Sequence, residues 1–317
     1  MTLDILIPTY NRSRFLIKNL EHLRGIISNS LPDDIKIIIC DNASTDNTQE
    51  AVADYVRKNS ITNITYHRQS ENVGFNRNLI SSLSLSNAQY VLTLGDDDFI
   101  DERYLKKAIE AIKRDPSIAI VLPSFEAIDE TGNSMGWGRD LGLTTLLFSP
   151  SVKTAKVNSV RAHQISGIIL KREGLTDALK KGSITNLYPQ IFLAAYCCLK
   201  GKCLHITEYP VLVTQTKNKA WRYDDVGLLT DIFENYKALH LNAINQFAFE
   251  HEMIKQQRWR AFKYFKRPTK QINVIFKIAF GKNTSSVGKI LLPLYLAYLW
   301  MRVIAYAINN RLKGCRQ

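Results

Sequence analysis

Cysteine is scarce and unpatterned in this chain. Cys40, Cys197, Cys198, Cys203 and Cys315 show no zinc-finger spacing, and Cys40 lies inside an apolar run. An odd count without a framework argues against a disulfide scaffold and is expected of reduced thiols in the cytosol. No internal repeat or low-complexity linker divides the 317 residues, so a solenoid or a flexible array is excluded. The first strand pattern begins at Leu3, which leaves no room for a signal peptide. Acidic residues almost vanish from one region. Residues 251–317 hold 14 Lys/Arg against Glu252 alone, whereas residues 1–250 hold 28 of each sign. The formal charge of +13 therefore belongs to the last fifth of the chain, a basic tail on a neutral body.

What is present is a globular pattern, 45% apolar, in which strands and helices alternate. Strand patterns cover Leu3–Pro8, Ile35–Cys40, Ile64–Arg68, Tyr90–Leu94 and Ile118–Pro123. Helical patterns cover Arg14–Ile27, Asp46–Lys58, Phe75–Ser86 and Glu102–Arg114. This alternation predicts an α/β fold with a mostly parallel sheet. Residues 125–160 are rich in Gly and Ser and are expected to form loops. Beyond them, Gln164–Leu170 reads as a strand, and Arg172–Lys181 and Pro189–Leu199 as helices. Leu204–Ile206 and Val211–Thr214 read as short strands. Val226 to about Phe265 is long-helical, and Ile272–Phe280 and Ile290–Ile308 are apolar. The expected organisation is a catalytic domain over residues 1–225 and a helical, basic region over 226–317. Within the first, residues 1–125 hold the regular strand–helix alternation and residues 126–225 a less regular half.

The polar clusters share a position. Thr9-Tyr-Asn-Arg12, Asp41-Asn-Ala-Ser-Thr-Asp46 and Gly95-Asp-Asp-Asp98 each follow a strand. In parallel sheets ligands bind outside the carboxyl ends of the strands, so the three clusters converge on one edge. Side-chain alternation sends Asp96 and Asp98 one way and Asp97 the other. Two carboxylates at a strand end suit a hard divalent cation, which can neutralise a departing diphosphate. The competing reading is a solvated turn capping the helix that starts near Asp101.

Four segments carry a resemblance. Ile5-Leu-Ile-Pro-Thr-Tyr-Asn-Arg12, Ile39-Cys-Asp-Asn-Ala-Ser-Thr-Asp-Asn-Thr48, Glu71-Asn-Val-Gly-Phe-Asn-Arg-Asn78 and Leu94-Gly-Asp-Asp-Asp98 resemble, in this order, the signatures of family 2 glycosyltransferases, which have the GT-A fold. Ile165-Ser-Gly-Ile-Ile-Leu-Lys171 and Tyr188-Pro-Gln190 also look like O-antigen sugar transferases of the abequosyltransferase type. The resemblance implies that Pro8, Thr9, Tyr10 and Asp41 hold the nucleoside, with Arg12 and Asn72 nearby. It implies that Asp96 faces ribose or metal, that Asp98 binds Mg²⁺ or Mn²⁺, that Asp97 serves the nucleotide-sugar site with a structural role as its alternative, and that residues 1–125 serve the donor and 126–225 the acceptor. Gly74 would let the chain approach the donor, and Arg77 would contact phosphate or ribose. Asp46, with Gln49 three residues later, resembles a helix cap, and Asp41 has an Asx turn as its alternative role. Lys219 and Arg222, in a basic-aromatic loop, would stabilise the leaving group.

One departure stands out. Where inverting members carry an acidic pair, this chain reads Ser183-Ile-Thr-Asn-Leu-Tyr-Pro-Gln-Ile191, with no carboxylate. The candidates for a general base are Glu126, Asp129 and His163.

The tail combines charge with apolar surface. The uninterrupted run Ile290–Met301 falls short of the roughly 20 residues that span a bilayer, whereas counting through Arg302 gives 19 residues, Ile290–Ile308, and leaves a single span open. Tyr295, Tyr298, Trp300 and Tyr306 and flanking basic residues fit a segment lying in the membrane interface. A packed core helix and an oligomer interface are the alternatives. The expected activity is glycosyl transfer from a nucleotide-sugar to a lipid-linked glycan, on the inner face of the cytoplasmic membrane. A nucleotidyltransferase and a non-catalytic binding protein are the competing functions. Ile290–Ile308 is too apolar for a nucleic-acid arm.

Overall fold

The computed structural model describes residues 2–30, 35–215 and 225–314. The chain divides into two compact units, Met1–Ala220 and Trp221–Gln317. The first begins with four strand–helix repeats: β1 (Leu3–Thr9), α1 (Ser13–Ser30), β2 (Lys36–Asp41), α2 (Thr48–Lys58), β3 (Ile64–Arg68), α3 (Gly74–Leu85), β4 (Tyr90–Thr93) and α4 (Glu102–Arg114). It continues with β5 (Ile118–Ile128), β6 (Ser134–Arg139), β7 (Leu146–Phe148), α5 (Val152–Ser159), a 3-10 turn (Val160–His163), β8 (Ile168–Lys171), α6 (Leu175–Gly182), α7 (Pro189–Lys200) and β9 (Lys202–Thr214).

One sheet contains the nine strands found among the described residues, in the order β3-β2-β1-β4-β8-β5-β9-β7, with β6 paired to β5. β1 pairs in parallel with both β2 and β4, in registers such as Ile5↔Ile37 and Ile5↔Leu92. Strands covered on both faces read as near-continuous apolar runs, and every residue of β1 is buried, its Asp4 accepting from Ser86 Oγ at 2.6 Å. Leu16, Leu20 and Leu23, spaced along one stripe of α1, are fully buried with them.

The structure departs from the sequence expectations where proline and glycine act. β5 does not stop at Pro123. Its pairing with β9 shifts register between Pro123 and Phe125, an irregularity that takes in a residue with no N–H to donate. On the other side of the same shift, the two short strands expected after residue 203 are one long β9, which contains Pro210. Residues 125–160 are accordingly ordered as the end of β5, then β6, β7 and α5. β8 starts only at Ile168. Gly167, at φ +82°, turns the chain just before it, so Gln164 and Ser166 leave the sheet. Asp46 accepts from Thr48 N at 3.1 Å, although the N-cap position of α2 is Asn47.

The second unit is helical: α8 (Asp225–Lys237), α9 (Ala243–Gln256), α10 (Arg258–Ala261), α11 (Pro268–Phe280) and α12 (Ser286–Gly314). Pro293 lies inside α12 without ending it. The apolar segment is therefore longer than the uninterrupted run implied: Ser286–Tyr306 is long and apolar enough to cross a membrane by length and composition. Glu250 of α9 anchors the start of this helix, accepting from Ser285 N at 2.7 Å and Ser285 Oγ at 2.9 Å. Gly288 leaves room for it, because a Cβ there would lie 2.3 Å from Glu250 Oε2.

Candidate active site

The edge formed by the carboxyl ends of β1, β2 and β4 gathers the predicted polar clusters. β4 ends at Thr93, and Asp96 and Asp97 occupy a turn closed by Asp98 N donating to Gly95 O at 3.3 Å. The simple strand alternation expected for the three aspartates is replaced by this turn, yet its outcome survives in part. Asp96 and Asp98 are buried, and Asp97 is half-buried toward Arg12.

Each carboxylate is held by a different element. Thr9 Oγ1, at the end of β1, donates to Asp96 Oδ2 at 2.6 Å. Arg12 places Nη1 and Nη2 at 3.1 and 2.7 Å from Asp97 Oδ2, and Nε at 3.5 Å from Asp96 Oδ1. Asp98 accepts from Thr214 N at 2.9 Å, from Gln164 Nε2 at 2.9 Å and from Ser166 Oγ. Below the turn, the fully buried Asn19 of α1 donates to Gly95 O at 3.3 Å and to Asp98 O. Sequence reasoning missed Asn19, Gln164, Ser166 and Thr214. Asn19 alone had a local signal, a polar residue on the buried stripe of α1.

Among the described residues, three carboxylates and the Arg12 guanidinium meet at this turn. Burial, reinforced by the charge of Asp97, pushes the carboxyls of Asp96 and Asp98 up to about 7. A buried surplus of negative charge is the donor set a hard divalent cation suits. Phosphates of a bound donor would supply the remaining ligands.

Asp41 sits differently from its expected role. It has no exposed surface; its Oδ1 accepts from Ser44 N at 3.0 Å and from Ser44 Oγ, and its Oδ2 from Tyr66 OH at 2.6 Å. Arg68 Nε lies 3.6 Å from the same oxygen. The carboxylate thus closes the turn after β2, and a nucleobase would have to displace one of these partners. Tyr66 OH is pushed well upward by burial and by that bond.

The other donor-side residues line the same edge. Pro8 is buried in β1, whereas Tyr10 is 41% exposed. Asn72 Oδ1 accepts from Asn42 Nδ2 at 2.8 Å and from Gly74 N at 3.0 Å. Gly74 has φ +81° and open space where a Cβ would be, so its glycine answers a backbone requirement rather than crowding. Arg77 is exposed on α3. Lys219 and Arg222 lie outside the described residues.

The three base candidates separate. Asp129 caps the β5–β6 hairpin, accepting from Thr131 Oγ1 at 2.6 Å and Asn133 N at 2.9 Å. These bonds hold its pKa down at about 2, which suits a turn and not a proton acceptor near neutrality. Glu126 accepts from Ser134 Oγ across the same hairpin. His163 directly precedes Gln164, which bonds Asp98. Its Nδ1 lies 3.2 Å from Val160 O and its ring stands edge-on to Phe125 at 6.4 Å. The loop before α7, where no carboxylate occurs, is tied to α3 by Asn76 Nδ2, 3.1 Å from Ile184 O and 2.6 Å from Asn186 O.

Comparison with known proteins adds to this geometry. The abequosyltransferase RfbV of Salmonella typhimurium is 27% identical over 281 residues, 82% of each chain. Staphylococcus aureus TarS, solved with UDP-GlcNAc, superposes with a TM-score of 0.66 at 16% identity, over 94% of this chain and 87% of that one. A mannosyltransferase from Pyrobaculum calidifontis, solved with GDP-Man and Mn²⁺, gives 0.55 at 15% identity, over 99% and 86%. These likenesses support a GT-A-like architecture. The family model described as glycosyl transferase family 2 matches residues 4–173, more than half of the sequence. The chain therefore belongs to glycosyl transferase family 2.

Proposed function

We propose that this glycosyltransferase moves one sugar from a nucleotide-sugar to a hydroxyl of a lipid-linked oligosaccharide, with Mg²⁺ or Mn²⁺, in the synthesis of an O-antigen-like surface polysaccharide. One observation carries the reading: the turn at the end of the central strand β4 that brings three aspartates together with two of them buried, in a chain of this family. Asp98 and Asp96 would hold the cation, which when bound neutralises charge on the departing diphosphate. Thr9, Gln164, Ser166 and Thr214 fix the two carboxylates beforehand, so they need not reorganise when the donor arrives. Tyr10 offers an exposed ring to the nucleobase at the end of β1. His163 would receive the proton of the acceptor hydroxyl at Nε2, its Nδ1 being placed 3.2 Å from Val160 O and 3.4 Å from Arg139 Nη1. The named ligands of the relatives, UDP-GlcNAc in TarS and GDP-Man with Mn²⁺ in the mannosyltransferase, support the donor class and the type of cation.

In this reading residues 1–225 carry the chemistry and residues 226–317 carry the attachment to an anionic membrane surface. Lys255, Arg258, Arg260, Lys263, Lys266, Arg267 and Lys270 precede or begin α11, and α12 exposes Ile290, Leu294, Tyr298 and Met301. Basic charge beside an exposed apolar stripe suits a lipid surface, where the acceptor's lipid would reside. The test is a panel of UDP-, GDP-, CDP- and dTDP-sugars with Mn²⁺ or with EDTA, read by thermal shift and nucleotide release. Cation-dependent stabilisation and slow release with at least one donor are expected. No response across the panel would refute the reading.

A further inference from the structure

The hairpin joining β5 to β6 carries a tryptophan that neither the core nor the donor edge uses. Trp137 lies in Gly136-Trp137-Gly138 and keeps 47% of its surface exposed. Both glycines are required by the backbone. Gly136 has φ +72°, and a Cβ on Gly138 would lie 2.1 Å from Phe125 O. The pair bends β6 and presses it onto β5, and neither flanking residue adds a side chain beside the indole.

The indole is also fixed from below. It meets Phe125 edge-on, with ring centroids 6.2 Å apart and planes at 81°. Phe125 is itself held by Arg139, whose guanidinium carbon lies 5.0 Å from the ring centroid. Arg139 in turn donates Nη2 to Pro123 O at 3.2 Å and pairs with Asp140 at 3.3 Å. A solvent-exposed aromatic seated on a buried aromatic, itself held by a half-buried arginine, is a preformed surface.

Its position relates it to the aspartate turn. Phe125 also meets His163 edge-on at 6.4 Å, the next residue is Gln164, and Gln164 bonds Asp98. Sheet order places β1 on one side of β4, and β8 and β5 on the other. Tyr10 therefore stands on the Asp96 side of the turn and Trp137 on the Asp98 side, beyond the proposed base. A pyranose ring has an apolar face of C–H bonds and a rim of hydroxyls. A flat indole beside polar groups suits that shape, since stacking engages the face and leaves the rim to hydrogen-bond.

We propose that Trp137 is the stacking platform for a sugar ring of the acceptor, setting which glycan presents its hydroxyl to His163. The proposal rests on the glycosyltransferase reading and adds the acceptor subsite to it. Methyl glycosides of glucose, galactose, mannose and rhamnose serve as probes, because they lack the alkyl chain that α12 would attract. Saturation-transfer NMR titrations use the full chain, the Trp137→Ala, Trp137→Leu and Trp137→Phe variants, and Trp259→Ala, which removes another exposed indole. At least one glycoside should receive saturation from the unaltered protein. Its affinity should fall about tenfold in Trp137→Ala and Trp137→Leu, and stay within about threefold in Trp137→Phe and Trp259→Ala. Should Trp137→Ala melt early, the bulkier Trp137→Leu gives the answer. Saturation of no glycoside, or equal affinity in Trp137→Ala and Trp137→Leu, overturns the platform. Calorimetry with nucleoside diphosphates and Mg²⁺ on the same protein keeps the two readings apart. Loss of all cation-dependent nucleotide binding would sink the glycosyltransferase reading, whereas nucleotide binding with indifference to Trp137 sinks only the platform.

Discussion

Replacing Asp98 with asparagine should stabilise the metal-free protein while abolishing transfer. The carboxyls of Asp96 and Asp98 are raised from the ordinary 3.8 to about 7, chiefly by burial. An unfolded chain sheds these protons near pH 4, whereas the folded chain holds them until about 7. The folded state thus binds more protons across that window, so its stability falls as pH rises from about 4 to about 7 and stays low above. A rise of this size corresponds to on the order of 4 kcal/mol for one carboxyl. Asp97 and Asp96 share the penalty, so removing one charge should return roughly 2 kcal/mol at pH 8. In a unit of this length that is a rise in Tm on the order of 4–8 °C. His205, whose pKa is lowered by burial, costs stability as pH falls below 6.5 and opposes this trend. Subtracting the Asp98→Asn melting curve from the unaltered one at each pH cancels it. The assay is Tm in EDTA between pH 5 and 8.5, repeated with Mn²⁺. The difference should open as pH rises and should narrow or reverse with Mn²⁺, which takes the place of the protons. A flat difference in EDTA would refute both the buried-charge reasoning and the cation site built on it.

Asp41 supports a turn, so Tyr66→Phe should cost about 1 kcal/mol and Asp41→Ala roughly 1–3 kcal/mol in urea unfolding, since the latter strands Ser44 N and Tyr66 OH. Unchanged stability in Asp41→Ala would return that residue to the nucleobase. His163→Gln should lower the transfer rate by about 10²–10⁴ while leaving nucleoside diphosphate affinity within about twofold; a loss below tenfold removes His163 as the base. Leu294→Asp, on the exposed stripe of α12, should abolish flotation with anionic liposomes without shifting Tm, whereas a packed core helix predicts the opposite pair of results.

How much of this was legible depends on whether a residue's role is local. β1, β2 and β4 are buried on both faces, and continuous apolar runs announce such strands. The aspartate turn was legible for the same reason, being bound to the end of one of them. β6 was not, since Ser-Met-Gly-Trp-Gly-Arg139 is an exposed edge strand without apolar alternation. The partners of Asp98 lie 66, 68 and 116 residues away, and nothing in the spacing of Gln164, Ser166 or Thr214 points back to it. Asp41 stays open to both roles, because an aspartate three residues before a serine fits an Asx-type turn and a base-binding carboxylate equally well.

Ser60, Asp140, Ser183 and His240 take positive φ elsewhere, but a group of such residues falls at the edge that holds the aspartates. Asn11 at φ 54° follows β1, Ala43 at φ 60° follows β2, Gly74 at φ 81° opens the helix after β3, and Gly167 at φ 82° stands just before β8. Glycine adopts this region freely, but Ala43 does so at a cost of roughly 1–2 kcal/mol, with no side-chain polar group in compensation. Asn11 is compensated: its side chain accepts from Thr45 N at 2.7 Å and its own N–H donates to Ser44 Oγ at 2.9 Å. The strained turn after β1 is thereby stitched to the strained turn after β2. Ser44 also donates to Asp41, so one serine couples both turns to the buried carboxylate. Strain and uncompensated charge both reduce stability, and a sequence tuned for stability alone would retain neither. Their coincidence at the carboxyl ends of adjacent parallel strands, with the aspartate turn between β1 and β8, is what a site prepared for an anionic ligand and its cation requires.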